Sequence, residues 1–314
     1  MHDHAISATA LYIAEGLSIL AQDLRIAPLI PAPDRRLAQE ARRIGSSDHW
    51  RRFLETKVGQ KLYTTICQHL SPGVWLHHVL RKRIIDQKVR EALSDGFETV
   101  IVLAAGFDAL AYRLHRDYPQ VSFIEVDLAR TQAAKRRCLE SPGANLHFLA
   151  ADLSETRLLD LLTQVPHDAS TAPKTKTMVI VEGLSMYLTE DEIKGLLGGI
   201  AALPDLEVRL IMTFFKPNSR GEIAFETNTP LGKAWLALKR EPYKWGIGES
   251  QLPAFLLGLG FACQGIWSTA EAAQDFGLGG LTLAQGELIA MADRTAIPAT
   301  PSTLKANSGD ASCV

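Results

Sequence analysis

From Val100 to Asp108 the chain reads Val-Ile-Val-Leu-Ala-Ala-Gly-Phe-Asp, an apolar run closed by three small residues and an acid. In an open parallel sheet, ligands sit at the carboxyl ends of strands, where the chain turns into a helix. Small residues at 104 to 106 let a ligand approach the backbone, and Gly106 permits positive φ. Twenty-one residues after Gly106, Asp127 ends a second apolar run, Phe123-Ile124-Glu125-Val126. An acid at that distance from a glycine turn is placed to accept hydrogen bonds from both hydroxyls of a ribose. Small-residue turns and helix-capping acids occur in any strand–helix–strand unit, but the two at this spacing favour a nucleoside-bearing cofactor. The dinucleotide pattern G-x-G-x-x-G is not met, because its three positions read Ala104, Gly106 and Ala109.

Two further junctions fit the same pocket. In Ala150-Ala151-Asp152-Leu153, Asp152 could accept from an adenine amino group and Leu153 could pack on the ring, or Asp152 could simply cap a helix starting at Ser154. Glu182 follows the apolar run ending at Val181, and a carboxylate facing a cleft there is costly unless it meets a cation or donors. A sulfonium cofactor with an α-amino group brings positive charge, whereas a dinucleotide does not. Gly183-Leu184-Ser185-Met186-Tyr187 approaches the nucleophile-elbow pattern G-x-S-x-G but lacks its last glycine, which argues against a serine hydrolase.

Arg81 and Arg83 are two apart on an expected helix, so at most one faces the sheet; the other is expected to be solvated and paired with Asp86. Adjacent His77 and His78 cannot converge on one metal ion and read as surface or boundary residues. The four cysteines are widely separated and form no Cys-x-x-Cys pair, so neither a zinc site nor a disulfide framework is expected.

These residues need a scaffold. Short apolar runs at Thr99 to Leu103, Val121 to Val126, Leu146 to Leu149, Thr177 to Val181 and Leu206 to Phe215 alternate with helical stretches. Those stretches are Asp108 to Asp117, Leu128 to Glu140, Ser154 to Gln164 and Glu190 to Ala202. Such alternation predicts a parallel α/β sheet with helices on both faces. A helix near Ser250 to Leu259, then Phe261 to Trp267 and Glu287 to Ala292, completes seven strands, the last antiparallel. Residues 1 to 92 form a helical extension, with helices expected at Ser7 to Asp23, Asp34 to Ile44, Asp48 to Leu70 and onward from Ser71-Pro72. Asp34 is its expected N-cap at the second helix and Ser71 at the fourth. The catalytic domain then spans 93 to 294, and the Ala-, Pro-, Ser- and Thr-rich tail from 295 to 314 is expected to be disordered.

Hydrophobic residues at 46% and charged residues at 22% are ordinary for a globular chain. A net charge of −2 gives no field to hold a nucleic-acid backbone. No apolar run reaches the ~20 residues of a membrane span, and the start, Met1-His2-Asp3-His4, is no signal peptide. A cytoplasmic protein with a small-molecule substrate, without nucleic acid or membrane, is expected.

The same stretches resemble the leucine carboxyl methyltransferase family, including its bacterial polyketide O-methyltransferase branch. Val102-Leu103-Ala104-Ala105-Gly106-Phe107-Asp108, followed by Arg113-Leu114, is similar to "V-x-L-G-A-G-x-D-T-x-x-x-R-L". Phe123 to Leu128, with Lys135 downstream, looks like "F-x-E-V-D-x-P…K". Glu182 to Leu188 is similar to "E-G-L-L-M-Y-L", Arg81 to Asp86 to "R-T-R-x-x-D", and Ser7-Ala8-Thr9-Ala10-Leu11 to an N-terminal "T-A" signature. The resemblance spans about residues 7 to 275. It implies the class I methyltransferase fold, a Rossmann-like seven-stranded sheet, with S-adenosyl-L-methionine as cofactor. By that analogy Arg81 holds the cofactor carboxylate and Gly106, with Ala104, approaches the methionine part. Asp127 takes the ribose, Asp152 and Leu153 the adenine, and Glu182 the amino end. Ala104 stands where the family usually has glycine and Ala109 where it often has threonine. If residue 104 needs positive φ, its methyl group costs about 1 kcal/mol. The basic residue that eukaryotic carboxyl methyltransferases carry near their N-terminus is not recognisable, which favours a small acceptor over a protein carboxylate.

The expected reaction is in-line methyl transfer to a substrate carboxylate or hydroxyl, with alignment and water exclusion as the enzyme's main contributions. Tyr187 is the candidate for contacting the acceptor, or else a tyrosine packed under the extension. Two alternatives stay open: a nicotinamide-dependent oxidoreductase, and a non-catalytic scaffold that keeps the fold.

Overall fold

A computed structural model of the chain describes residues 8–140, 142–153, 155–164, 176–203, 207–238 and 241–295. The chain start, the expected starts at Ser7, Ser154 and Leu206, and the tail from 296 lie outside the described residues.

Thr99–Leu103, strand β1, is buried at all five positions. An uninterrupted apolar strand has no solvent face, so it must run between two helical layers. Its side chains divide as strand geometry requires. Val100 and Val102 enter one apolar cluster, while Ile101 and Leu103 enter another on the opposite face. Around it lie β2 (Ser122–Asp127), β3 (Leu146–Ala150), β4 (Lys176–Val181), β5 (Glu207–Phe215), β6 (Phe261–Trp267) and β7 (Glu287–Arg294). The spatial order is β3-β2-β1-β4-β5-β7-β6. β1 pairs in parallel with β2 and with β4, so the order reverses at its carboxyl end. That is the crevice where open α/β sheets bind ligands. Only β7, among the described strands, runs antiparallel, to both β5 and β6.

Among the described residues, five α-helices precede β1: α1 (Ala8–Leu20), α2 (Ala32–Gly45), α3 (Asp48–Glu55), α4 (Lys57–Leu70) and α5 (Val74–Ser94). The later ones are α6 (Leu110–Asp117), α7 (Ala129–Arg136), α8 (Leu158–Leu162), α9 (Glu190–Ala201), α10 (Pro230–Leu238), α11 (Leu252–Gly258) and α12 (Thr269–Asp275).

Several expectations change here, each for a local reason. The helix expected from Asp48 to Leu70 is two, because Thr56 is extended and its hydroxyl accepts from the Gly59 N–H to cap α4. Gly73, not Ser71, precedes α5, at φ 77. A Cβ there would lie 2.5 Å from the backbone of Ala284, so only glycine fits. α2 starts at Ala32 after Pro31, which puts Asp34 in its first turn rather than at the N-cap. The Asp34 carboxylate is instead spent on an ion pair with Arg113 at 2.8 Å. α10 and α12 lie in stretches where no helix is expected from the sequence.

Candidate cofactor and acceptor site

Ala104 and Gly106, just past β1, both adopt left-handed backbone, φ 51 and 49. This double turn aims the Gly106 N–H across the crevice, where Asp127 Oδ2 accepts it at 2.6 Å. Asp127 Oδ1 accepts the Leu128 N–H at 2.7 Å. An ionised carboxylate has about four acceptor directions, so each oxygen keeps one for a ligand hydroxyl. A Cβ on Gly106 would meet nothing nearer than the Ala104 carbonyl at 4.0 Å, which leaves an open cradle over the turn. Ala104, Gly106, Asp127 and Glu182 all line one cavity of about 1280 Å³. Single small-molecule sites run ~300–1,000 Å³, so this one has room for two molecules.

Arg81 and Glu182 meet directly. From α5, Arg81 Nε donates to Glu182 Oε1 at 2.9 Å, and Nη1 donates to both oxygens of Glu287 at 2.8 Å. Its Nη2 contacts His78 Nδ1 at 2.9 Å. Lys82 Nζ bridges Glu182 and Asp108, each at 3.0 Å. The cation that a buried Glu182 requires therefore comes from the chain itself, from Arg81 and Lys82. Three carboxylates nonetheless face two cations, and an α-ammonium group would balance the remainder. Burial alone would raise the Glu287 carboxyl, but Arg81 and His77 overcome it and lower it to about 2. Burial likewise opposes ionisation of Asp108, and Lys82 and Lys135 bring it to about 2.

Lys82, Asp108, His77 and Glu287 were missed as site residues. His77 is not at the surface. It is 1% exposed and bonded at 2.8 Å to both Thr269 and Glu287, which ties α5 to the start of β7. Arg83 does pair with Asp86, at 3.0 Å, but it is not solvated. Asp86 is buried and also accepts from Arg90 and Arg113, each at 3.0 Å. Behind Asp127, the buried Lys135 pairs with Glu125, whose carboxyl burial raises to about 7 against that pairing.

Asp152 and Leu153 stand one strand away from Asp127 and are not part of the cavity wall. Asp152 is exposed and its carbonyl accepts the N–H groups of Glu155 and Thr156, while Leu153 packs on the core beneath the sheet. Tyr187 does line the cavity. It ends a 3-10 turn, Ser185–Tyr187, anchored by Ser185 Oγ donating to the Thr213 carbonyl at 2.6 Å. Burial pushes its phenol up to about 12, so it stays protonated at neutral pH. Among the described residues no group of three or more His, Cys, Asp or Glu side chains could hold a metal ion, and no helix is long and apolar enough to cross a membrane.

Residues 19–201, more than half the chain, match the model of the leucine carboxyl methyltransferase family. The chain belongs to that family. It is 28% identical to a Mycobacterium tuberculosis protein named for an inferred S-adenosyl-L-methionine-dependent methyltransferase activity, over 88% of this chain and 83% of that one. A Streptomyces avermitilis protein named in the same terms is 31% identical over 54% of this chain, and the match spans 60% of its length. A solved structure from Thermobifida fusca, named for an inferred methyltransferase, superposes with a TM-score of 0.50 at 16% identity. That match covers 79% of this chain and 93% of the other, and it shows the class I methyltransferase fold. The family's cofactor is S-adenosyl-L-methionine, and the chain is a methyltransferase of that dependence.

Proposed function

We propose that this family member transfers the cofactor's methyl group to an oxygen, carboxylate or hydroxyl, of a small molecule. The observation that carries this is the make-up of the cavity wall. It joins a polar group, Ala104, Gly106, Asp127 and Glu182, to an aromatic one, Tyr187, Phe215 and Tyr243, with α1 residues lining it as well. A donor and an acceptor can therefore lie in line within one enclosure, which is most of what an activated methyl group requires.

The residues present suit the cofactor. Asp127 would accept the two ribose hydroxyls on its remaining lone pairs, and the Gly106 turn would admit the methionine chain. Glu182 would receive the α-ammonium group, and the one Arg81 Nη2 hydrogen not already engaged would serve the carboxylate. Asp152 and Leu153 would meet adenine at the outer rim, beside β3. When bound, the cofactor would supply an activated methyl group to the acceptor oxygen, sulfur keeping the electron pair of the carbon–sulfur bond; a carboxylate would have no proton to lose, and a hydroxyl would release its own to bulk solvent. Tyr187, protonated, orients the acceptor by hydrogen bonding rather than by taking its proton. α1 and α2, which contribute Thr9, Tyr12 and Asp34 to the wall, keep water out.

The test is to incubate the protein with methyl-labelled S-adenosyl-L-methionine and a panel of carboxylic acids, alcohols, amines and thiols. Label in an ester or ether supports the reading. Label confined to nitrogen, sulfur or carbon overturns it.

A further inference from the structure

Glu182 carries two cations from its own chain, and they are held very differently. Arg81 Nε donates to Oε1 at 2.9 Å, and the same guanidinium is clamped by two bonds to Glu287 at 2.8 Å and by His78 at 2.9 Å. Arg81 cannot turn away from Glu182 without breaking that whole set. Lys82 Nζ meets the other oxygen, Oε2, at 3.0 Å, and its second partner is Asp108 Oδ2, also at 3.0 Å. Its side chain keeps 18% of its surface exposed and lines the cavity together with both carboxylates. An ammonium on a flexible four-carbon stem can give up one of two partners and keep the other.

Glu182 is also the acceptor proposed above for the cofactor's α-ammonium group. With Oε1 held by Arg81, Oε2 is the oxygen left for it, and Lys82 stands there. The lysine head is the same chemical group as the ligand's, a compact cation with three donors. A second ammonium on a spare lone pair of Glu182 would lie within the ~4–6 Å at which like charges oppose one another. The pattern that this stretch of α5 resembles, R-T-R-x-x-D, has threonine at the position of Lys82, and threonine brings no charge.

We infer that Lys82 is a built-in stand-in for the cofactor's α-ammonium group. Its Nζ neutralises Glu182 and Asp108 together until the ligand's ammonium displaces it from Glu182, and it then stays on Asp108. Lys82 is thereby a specificity-determining residue: the site holds its donor and its product less tightly than its carboxylates alone would, and draws little selectivity from the amino group. This rests on the cofactor placement proposed for the same site.

The test is calorimetric titration of wild type, Lys82→Met and Lys82→Gln with three ligands. These are S-adenosylhomocysteine, its deaminated analogue with a carboxypropyl chain on the same sulfur, and methylthioadenosine, which lacks both the amino and the carboxyl group. Both variants should bind S-adenosylhomocysteine about tenfold more tightly than wild type, and the deaminated analogue about tenfold more weakly, because a positive charge beside Glu182 is gone. Methylthioadenosine should bind all three proteins alike, which also reports folding. Lys82→Gln keeps a donor without the charge, so it carries the test where Lys82→Met fails to fold. Unchanged or weaker S-adenosylhomocysteine binding by a variant that still holds methylthioadenosine overturns the stand-in role alone. Failure of folded wild type to bind either nucleoside takes down the cofactor placement as well.

Discussion

Two neighbouring alanines should respond in opposite directions to the same substitution. Ala104 is the non-glycine residue with positive φ among those described, at 51°. For an L side chain that conformation costs about 1–2 kcal/mol. Glycine relieves it, at an unfolded-chain entropy cost of about 0.5–1 kcal/mol. Ala104→Gly should therefore stabilise the protein by about 0.5–1 kcal/mol. Ala105 has no positive φ and is 5% exposed. Ala105→Gly loses about 0.8 kcal/mol of buried methyl and the same backbone entropy, a destabilisation of about 1.5 kcal/mol. The gap of about 2 kcal/mol corresponds to about 3 °C between the two variants in a chain of this size. Thermal unfolding of wild type and both variants in one buffer reads it directly. An Ala104→Gly midpoint as far below wild type as that of Ala105→Gly would refute the strain argument. The same two proteins, titrated with S-adenosylhomocysteine, show whether the Ala104 methyl also crowds the cofactor, in which case Ala104→Gly binds more tightly.

Asp127→Ala removes the acceptors of both ribose hydroxyls, at about 1.5 kcal/mol each, and should weaken S-adenosylhomocysteine about 100-fold by calorimetry. Asp86→Ala leaves Arg83, Arg90 and Arg113 facing one another without their shared carboxylate. It should cost about 3 kcal/mol in denaturant unfolding. Acid should unfold the protein through Glu287 and Asp108, both lowered to about 2. Carboxyls depressed in the folded state contribute fully above their unfolded values and lose that contribution as pH falls toward 2. For Glu287 the loss is on the order of 3 kcal/mol, and Glu287→Gln should flatten that part of a stability–pH curve.

How legible each feature was follows from the range of the interaction behind it. β1 and β6 are found at the bounds read from the sequence, because short strands between turn residues announce themselves locally. The pairing of Gly106 with Asp127 was also visible, since one strand–helix–strand unit fixes their separation. α12 was missed although its signal is local: Ser268 and Glu271 form a capping box at its start. Glu287 carried no local signal. Its bonds to Arg81 span 206 residues and exist only because β7 inserts between β5 and β6. The same holds for His77, whose partners come from α12 and β7, and for Gly73, whose φ is imposed by the backbone of Ala284. Arg83 and Asp86 were paired correctly by helical spacing, but Arg113, 27 residues from Asp86, is what makes the pair a buried network.

The most direct test of the account is calorimetric titration of the wild-type protein with S-adenosyl-L-methionine and S-adenosylhomocysteine, with NAD alongside. Micromolar binding of both sulfur nucleosides and none of NAD is the predicted result. Tight binding of NAD, or no binding of either sulfur nucleoside by folded protein, would contradict the assignment of Gly106, Asp127, Arg81 and Glu182 to a methyl-donor site.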